Sequence, residues 1–523
     1  MRNFLSISLL LTIIYHTRAE IYGSIDPHEN EASYWLEQGQ QQLDDKLKVK
    51  ANQKKAKNVI IFVGDGMSVT TTTAARIYLG QNRFKNSGEG TKLKFEEFPY
   101  VGLAKTYCVD KQVGEAACTS TAYLSGVKAN SGTVGVSAAV ARGDCSGSQN
   151  PEYQVETILD WAQEAGKATG IITGDRVTGP SAAGNYAHSA DKQWEHDFDV
   201  LTRCNNLDPT ECKDIARQLV EDKPGRNIKV ILGGGRYKML PKSPTSEEGK
   251  GDRRDGRNLV KEWLQDKSSR GTAKYVTTRS ELLAVETKST DYLLGLFNSL
   301  GMTYHTDKSA ARPSLAECLT AALRILKKEK EGFYLFVENG RIEKAHLANQ
   351  AQRAFDEVLE LNRALWVAES MVDMEETLIV VLGDHSHSLT MSGYPDRGAD
   401  ILGIGGYSEL DGLPYSILSY ASGPGAQVSW SGGRRDVSGD DFHNVSYRFP
   451  ALVPHESETL SGEDVPVYAS GPWARLLSGT YEQSYIPLAI AYAAQIGPSK
   501  PVVEEKEETD EQPWWFGYPN NFS

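Results

Sequence analysis

Three short apolar runs of the chain end in acids. Residues 59–63 run into Gly64-Asp65-Gly66, residues 333–337 into Glu338, and residues 378–382 into Gly383-Asp384-His385. Strands of one parallel sheet share a carboxyl edge, and α/β sheets bind their ligands there. Asp65, Glu338, Asp384 and His385 are therefore expected to converge. Packed carboxylates repel one another and raise their own pKa values, a conflict that a bound divalent cation removes. Oxygen donors suit Mg, and a mixed carboxylate and imidazole set suits Zn. For one strand-end acid, a loop cap or a surface ion pair is the simpler explanation. Three acids and a histidine at equivalent ends favour a metal centre.

The elements that must position these groups are legible as patterns. Runs at 59–63, 170–172, 228–232, 333–337 and 378–382 are continuously apolar and rich in β-formers. Such runs predict strands buried on both faces. Helical patterns fall between them, at 153–165, 315–328 and 345–372. Strands alternating with helices predict an α/β fold, a mostly parallel sheet flanked by helices. No internal repeat is evident.

The expected divisions are a leader at 1–19, a polar helical arm at 20–56 and a core at 57–392. An irregular insertion rich in Gly, Ser and Pro follows at 393–455. The chain returns to the core at 456–497 and ends in a tail at 498–523.

The chain has 523 residues, 40% hydrophobic and 24% charged, which excludes disorder, collagen and coiled coil as its main character. Its 56 basic residues against 69 acidic ones argue against nucleic acid as an electrostatic partner. Arg2, the apolar run 4–14 and Thr17-Arg18-Ala19 have the form of a secretory signal cleaved after Ala19. The run is too short to span a bilayer. The tail is acidic around Trp514-Trp515-Phe516 and ends polar. It lacks the about 10–20 terminal apolar residues of a lipid-anchor signal. The expectation is a secreted, extracellular protein with no membrane span and no lipid anchor. Asn444 and Asn521 stand in glycosylation sequons. Six cysteines in an oxidising compartment permit up to three disulfides, with the pairing open.

Seven segments carry a resemblance. They are Val63-Gly-Asp-Gly-Met67, Thr121-Ala-Tyr-Leu124 with Gly126-Val-Lys128, and Ile231-Leu-Gly-Gly-Gly-Arg236. Val337-Glu-Asn-Gly-Arg-Ile342, Asp384-His-Ser-His387, Gly393-Tyr-Pro with Arg397-Gly, and Gly462-Glu-Asp-Val465 complete the set. In this order they resemble the animal alkaline phosphatases. The resemblance implies an α/β/α sandwich with a crown-like insertion and an N-terminal helix that embraces a partner subunit. It implies a homodimer, or a heterodimer with a related phosphatase. The implied reaction is phosphate monoester hydrolysis: a Ser attacks phosphorus between two Zn ions, a Mg lies nearby, and an Arg clamps the phosphate.

Carried over position by position, the resemblance points to loss. The family's nucleophile falls on Ala116, in Glu115-Ala116-Ala117-Cys118-Thr119-Ser120-Thr121. A methyl group cannot attack phosphorus, and in another covalent enzyme loss of the nucleophile costs about 10⁶ in kcat. Ser120, a turn further on, is not expected to substitute. The first Zn site falls on Glu343, Leu347 and Leu460, two of them aliphatic and hostile to a dication. Glu343, His346 and His387 are weaker candidate ligands. The second Zn site keeps Asp65, Asp384 and His385, and the Mg site keeps Asp65, Ser181 and Glu338 with Gly179 in place of a His. Mg and one Zn are the expected cofactors; a second Zn and a Ca are not expected. Around the animal Ca position Phe297 is kept, while Asn298 and Arg312 replace acids.

The phosphate-clamping Arg falls on Asp208, with Arg203 as the substitute if the register slips. A carboxylate there repels a phosphate dianion that a guanidinium would grip. Cys145 and Cys212 match a disulfide of the animal relatives. Cys108 and Cys118 flank the altered segment and are a second candidate pair, the alternative being a Cys118 thiolate nucleophile. The expected protein is a catalytically impaired phosphatase, a binding or dimer partner. The alternatives are an active hydrolase using the remaining metal site, and a purely structural, metal-free protein.

Overall fold

Runs of Val, Ile and Phe become strands here because a pleated ribbon buried on both faces has no place for polar side chains. The computed structural model describes residues 22–23, 26–204, 212–307, 311–427 and 433–498. Ten strands form the central sheet. In chain order they begin with β1 (Asn58–Gly64), β2 (Tyr100–Lys105), β3 (Ala168–Arg176), β4 (Val230–Gly234) and β5 (Ala273–Val276). β6 (Tyr292–Leu296), β7 (Phe333–Asn339) and β8 (Thr377–Gly383) follow. Two tiny strands, β9 (Ser386–His387) and β10 (Leu389–Met391), leave the sheet. The insertion supplies β11 (Ile404–Tyr407), β12 (Pro414–Ser416), β13 (Leu418–Gly423) and β14 (Ala451–Pro454). The chain returns through β15 (Leu460–Ser461), β16 (Val465–Ser470) and β17 (Gly479–Glu482).

The sheet order is β17-β2-β16-β8-β1-β7-β3-β4-β6-β5. β16 runs antiparallel to both neighbours; the other pairs are parallel. Every residue of β7 and β8 is buried.

Alternation along β1 divides the core in two. Ile60 and Phe62 pack on one face with α5 (Leu315–Leu326) and α7 (Ala351–Met371). Val59, Ile61 and Val63 pack on the other with helix Ile158–Glu164 and α3 (Ala116–Ser125). This is an α/β/α sandwich, as expected from strand-helix alternation.

Differences from the expectation have local causes. The pattern at 345–372 is two helices, α6 (Arg341–Leu347) and α7, because Asn349 takes φ 55° and ends the first. Its side chain compensates by donating to Ser422 O and accepting from Gly425 N. The pattern at 153–165 is helical only from Ile158, where Thr157 and Asp160 form a capping box. Strands β2, β5, β6, β16 and β17 escaped the pattern. β2 is half-exposed near the edge, and its Val101 and Leu103 face outward.

The arm contains α1 (Ala32–Leu47), none of whose residues is buried. The insertion folds as a three-stranded sheet, β10-β13-β14, and the pair β11-β12. No helix of the described residues is long and apolar enough to cross a membrane. Two disulfides form, Cys108–Cys118 and Cys145–Cys212, while Cys204 and Cys318 are free and buried. The leader 1–19, the tail beyond 498, Asn521 and Asp208 lie outside the described residues.

Candidate metal centre

Sheet register assembles the centre. β1 lies between β7 and β8, with Val63 opposite Glu338 and Gly64 opposite Gly383. Asp65 and Asp384 therefore leave adjacent strands at the same level. Glu338, opposite Val63, stands two residues earlier on the third strand. Asp65, Asp384 and His385 each present a donor atom, all within 4.8 Å of one another. His385 Nε2 is 3.2 Å from Asp65 Oδ1 and 3.6 Å from Asp384 Oδ2. Asp384 is aimed by its other oxygen, which accepts from Gly66 N at 2.8 Å and His385 N at 3.0 Å. Gly66 has φ 76° and lies so close to the His387 ring that no side chain fits there.

Asp65 Oδ1, Asp384 Oδ2, His385 Nε2 and Ser181 Oγ are all buried without a hydrogen-bond partner. Orphaned buried polar atoms are costly and rare in native folds. Three that converge are the donor set of an octahedral or tetrahedral cation, so a divalent ion fits here. Burial, then the Asp384 charge, raises the Asp65 pKa well above the carboxylate range. Burial, then Asp65, does the same to Glu338. Burial lowers the His385 pKa, but Asp384 and Asp65 outweigh it and hold the imidazole up to about 10. A cation would reverse this pattern by favouring ionised carboxylates and a neutral ring.

Glu338 joins the centre from the side. A Cβ on Gly340 would meet Glu338 Oε1 at 2.9 Å and Asp65 Oδ2 at 3.6 Å, so the two carboxylates share one space. Thr173 and Ser181 stand against Glu338. Ser181 is carried on the single turn α4 (Pro180–Ala183), which Gly179 begins.

The position implied for the first Zn is different. Glu343 is bonded to Lys344 Nζ, which also lies 3.8 Å from Asp175 Oδ2. Against the cost of burial, Lys344 and then His385 depress the Glu343 pKa below the usual carboxylate range. Leu460 pairs with His387 between β15 and β9, and Leu347 O accepts from Glu458 N at 2.9 Å. With Leu347 and Leu460 in place and Glu343 neutralised by an ammonium, these residues do not fit a Zn ion. The hydrogen bonds of His346 account for both ring nitrogens: Thr71 Oγ1 at 3.1 Å and Tyr420 OH at 2.8 Å. His387 Nδ1 lies 2.5 Å from Glu458 Oε2, and its Nε2 is buried without a partner. Burial, then His385, pushes the His387 pKa down to about 3.

Ala116 is the first residue of α3 and is 2% exposed. The helix N-terminus is closed by Glu115, which accepts from Ala117 N and Cys118 N at 3.1 Å each and from Gly132 N at 2.8 Å. Lys192 Nζ pairs with the same carboxylate. Ser120 is wholly buried and donates to Ala117 O at 2.9 Å and Pro180 O at 3.2 Å. Its hydroxyl faces backbone, not the acids. The disulfide to Cys108 removes the thiolate reading of Cys118. Arg203 ends helix Asp197–Arg203 and donates to Gln193 Oε1 on the surface.

Sequence reasoning missed Lys344, Lys192 and Glu458. Lys344 follows Glu343 directly, and adjacent helical residues do not ordinarily face each other. Lys192 and Glu458 meet their partners across 77 and 71 residues, and no local pattern reports such pairs. At the implied Ca position, Arg312 Nη1 donates to Phe297 O, and Asn298 Nδ2 donates to Gly301 O at 2.6 Å. A guanidinium occupies the carbonyl that a Ca would need, so these residues do not fit that ion.

A family model described as alkaline phosphatase matches residues 56–496. The membrane-bound alkaline phosphatase of Bombyx mori is 44% identical over 482 residues, covering 91% of this chain and 87% of that protein. The tissue-nonspecific alkaline phosphatase of Gallus gallus is 45% identical over 487 residues, covering 91% and 92%. Among solved structures, the alkaline phosphatase of Thermus thermophilus superposes with TM-score 0.59 at 22% identity, covering 86% of this chain and 94% of that one. This last likeness is one of fold.

Proposed function

The chain belongs to the alkaline phosphatase family, whose reaction is phosphate monoester hydrolysis, and we propose that it is a catalytically impaired member of that family. The observation that carries this reading is Ala116, a methyl side chain at the head of α3, at the position that the resemblance assigns to the nucleophile. Ser120 and Cys118 are both committed elsewhere. A covalent phosphoryl transfer needs a nucleophile, and none is available at this position.

The retained centre is proposed to hold one divalent cation through Asp65, Asp384 and His385, and a Mg near Asp65, Ser181 and Glu338. A cation there supplies Lewis acidity and neutralises buried carboxylates. Asp384 is oriented for that task by Gly66 N, and Glu338 by Thr173. Within this reading, residues 57–392 with 456–497 form the core and 393–455 the crown-like insertion. The protein is secreted, with Asn444 exposed for glycosylation. It dimerises with itself or with a related phosphatase. α1 supports this pairing by exposing Trp35, Leu36, Leu43 and Leu47.

The deciding experiment is an assay of the protein supplied with Zn and Mg, on a chromogenic phosphate monoester at alkaline pH. Turnover at or above about one per second would overturn the proposal. The second reading, an active metal-dependent hydrolase, is favoured by the intact cluster of Asp65, Asp384 and His385. Hydrolysis that disappears with Asp384→Asn in a folded protein would establish it.

A further inference from the structure

A cavity of about 470 Å³ lies at the carboxyl ends of β3 and β7. Thr173 and Asn339 line it, and Thr173 also stands against Glu338 of the metal centre. Its volume is that of a small-molecule site.

Its wall carries three arginines and three glutamates, but not all of them pair with one another. Arg279 is neutralised by Glu317 through contacts of 2.9 and 3.0 Å. Glu360 is satisfied by Arg363 and by Leu315 N, each at 2.9 Å. Glu357, raised to about 7 by burial, accepts from His305 N at 2.6 Å and Asn339 Nδ2 at 2.9 Å. His305 pairs with Asp356 at 2.7 Å. Two guanidiniums remain. Among the described residues Arg341 donates only to Met302 O, at 2.9 Å, and its Nε is buried without a partner; the Asp175 charge acts on it from beyond ion-pair distance. Arg312 donates only to Phe297 O. Among the described residues neither lies within ion-pair distance of a carboxylate.

The wall also includes Ser314 and Leu315 at the start of α5, but Glu317 and Glu360 already accept from their N–H groups, so that helix end is capped. Met302, Pro313 and Leu315 give it an apolar side.

We propose that this cavity binds a small organic oxyanion, with the anionic head on Arg341 and Arg312 and the apolar body against Met302, Pro313 and Leu315. Guanidinium pairs grip planar or tetrahedral oxyanions through directed N–H bonds, and two of them favour a dianion. The inference does not depend on whether the metal centre is catalytically active.

The test is calorimetric titration of the full-length, metal-loaded protein with butylphosphonate, hexanoate and inorganic phosphate. Butylphosphonate is expected to bind saturably and at least tenfold more tightly than inorganic phosphate, with hexanoate between or weaker. Tighter binding of hexanoate than of butylphosphonate would assign the site to carboxylates and overturn the dianion preference. Arg341→Met and Arg312→Met are each expected to weaken binding at least tenfold, and Arg341→Lys less. Asp384→Asn is expected to leave it unchanged, with far-UV circular dichroism confirming the fold of each variant. Arg312→Met carries the test if Arg341→Met does not fold. Loss of binding in Asp384→Asn with retention in the arginine variants would place the anion at the metal centre and overturn the proposal. Absence of saturable binding up to about 10 mM would do the same.

Discussion

His385 Nε2 and Asp65 Oδ1 lie 3.2 Å apart, on side chains that leave β8 and β1 at matching register. Neither atom has a hydrogen-bond partner, and Asp384 Oδ2 completes the triangle. Such a triangle is costly without an occupant, and that cost is the basis of the first prediction.

The protein purified from a Zn- and Mg-containing medium should carry about one tightly held cation at this triangle. Elemental analysis of the wild type and of Asp384→Asn checks it, with loss of that cation in the variant. Chelation should lower the melting temperature, because a ligand that binds only the native state stabilises by about 2.7 kcal/mol at a hundred times its Kd. A melting temperature indifferent to chelation, with no metal found, would leave the purely structural reading.

Ala116→Ser alone should recover almost no phosphatase activity. The hydroxyl would return, but Leu347, Leu460 and the Lys344–Glu343 pair would still exclude the Zn of the first site. Measured kcat/KM on a phosphate monoester should stay within about tenfold of the background. Strong rescue by this single change would show that positions 343, 347 and 460 have been misassigned.

Glu115 should prove a structural residue. Its carboxylate accepts from three backbone N–H groups and pairs with Lys192. Glu115→Ala removes a helix cap and leaves buried donors unmade, a loss of about 1–3 kcal/mol. Urea denaturation of the two proteins measures it, and an unchanged midpoint would refute the role.

Asp160 supplies a pH signature remote from the metal centre. Burial raises its pKa to about 6 from 3.8, against the opposing hydrogen bonds of Thr157. The folded state therefore binds the proton more tightly than the unfolded state. Its stabilising share is fully present below the unfolded pKa and is lost as pH rises through the folded value near 6. Asp160→Asn keeps an acceptor for Thr157 N and removes this dependence. The variant should match the wild type near pH 4 and exceed it by up to about 3 kcal/mol above pH 7. Equal pH profiles in thermal melts would contradict the assignment.

The central strands were legible because they are buried on both faces and so carry no polar interruption. β1, β7 and β8 begin and end close to their apolar runs, and the acids that follow them sit where the runs stop. β2 was not legible. It lies next to the edge, and its alternation of exposed Val101 and Leu103 with buried Gly102 and Ala104 is short and weak. The break between α6 and α7 was also hidden, since the left-handed Asn349 is stabilised by distant residues, Ser422, Gly425 and Phe449 among them.

The order of residues alone determined the family, the α/β class, the methyl group at 116 and the acids at three strand ends. These are local facts: each depends on side-chain type and on the period of burial along one segment. Tertiary structure decided which of those groups face one another. It brought His385 to Asp65, turned Ser120 towards backbone carbonyls, and set Lys344 on Glu343. It also placed Arg341 and Arg312 in a shared cavity with neither within ion-pair distance of a carboxylate among the described residues. Sheet register and helix packing fix such distances across tens to hundreds of residues, and electrostatic energy depends on those distances, not on position along the chain.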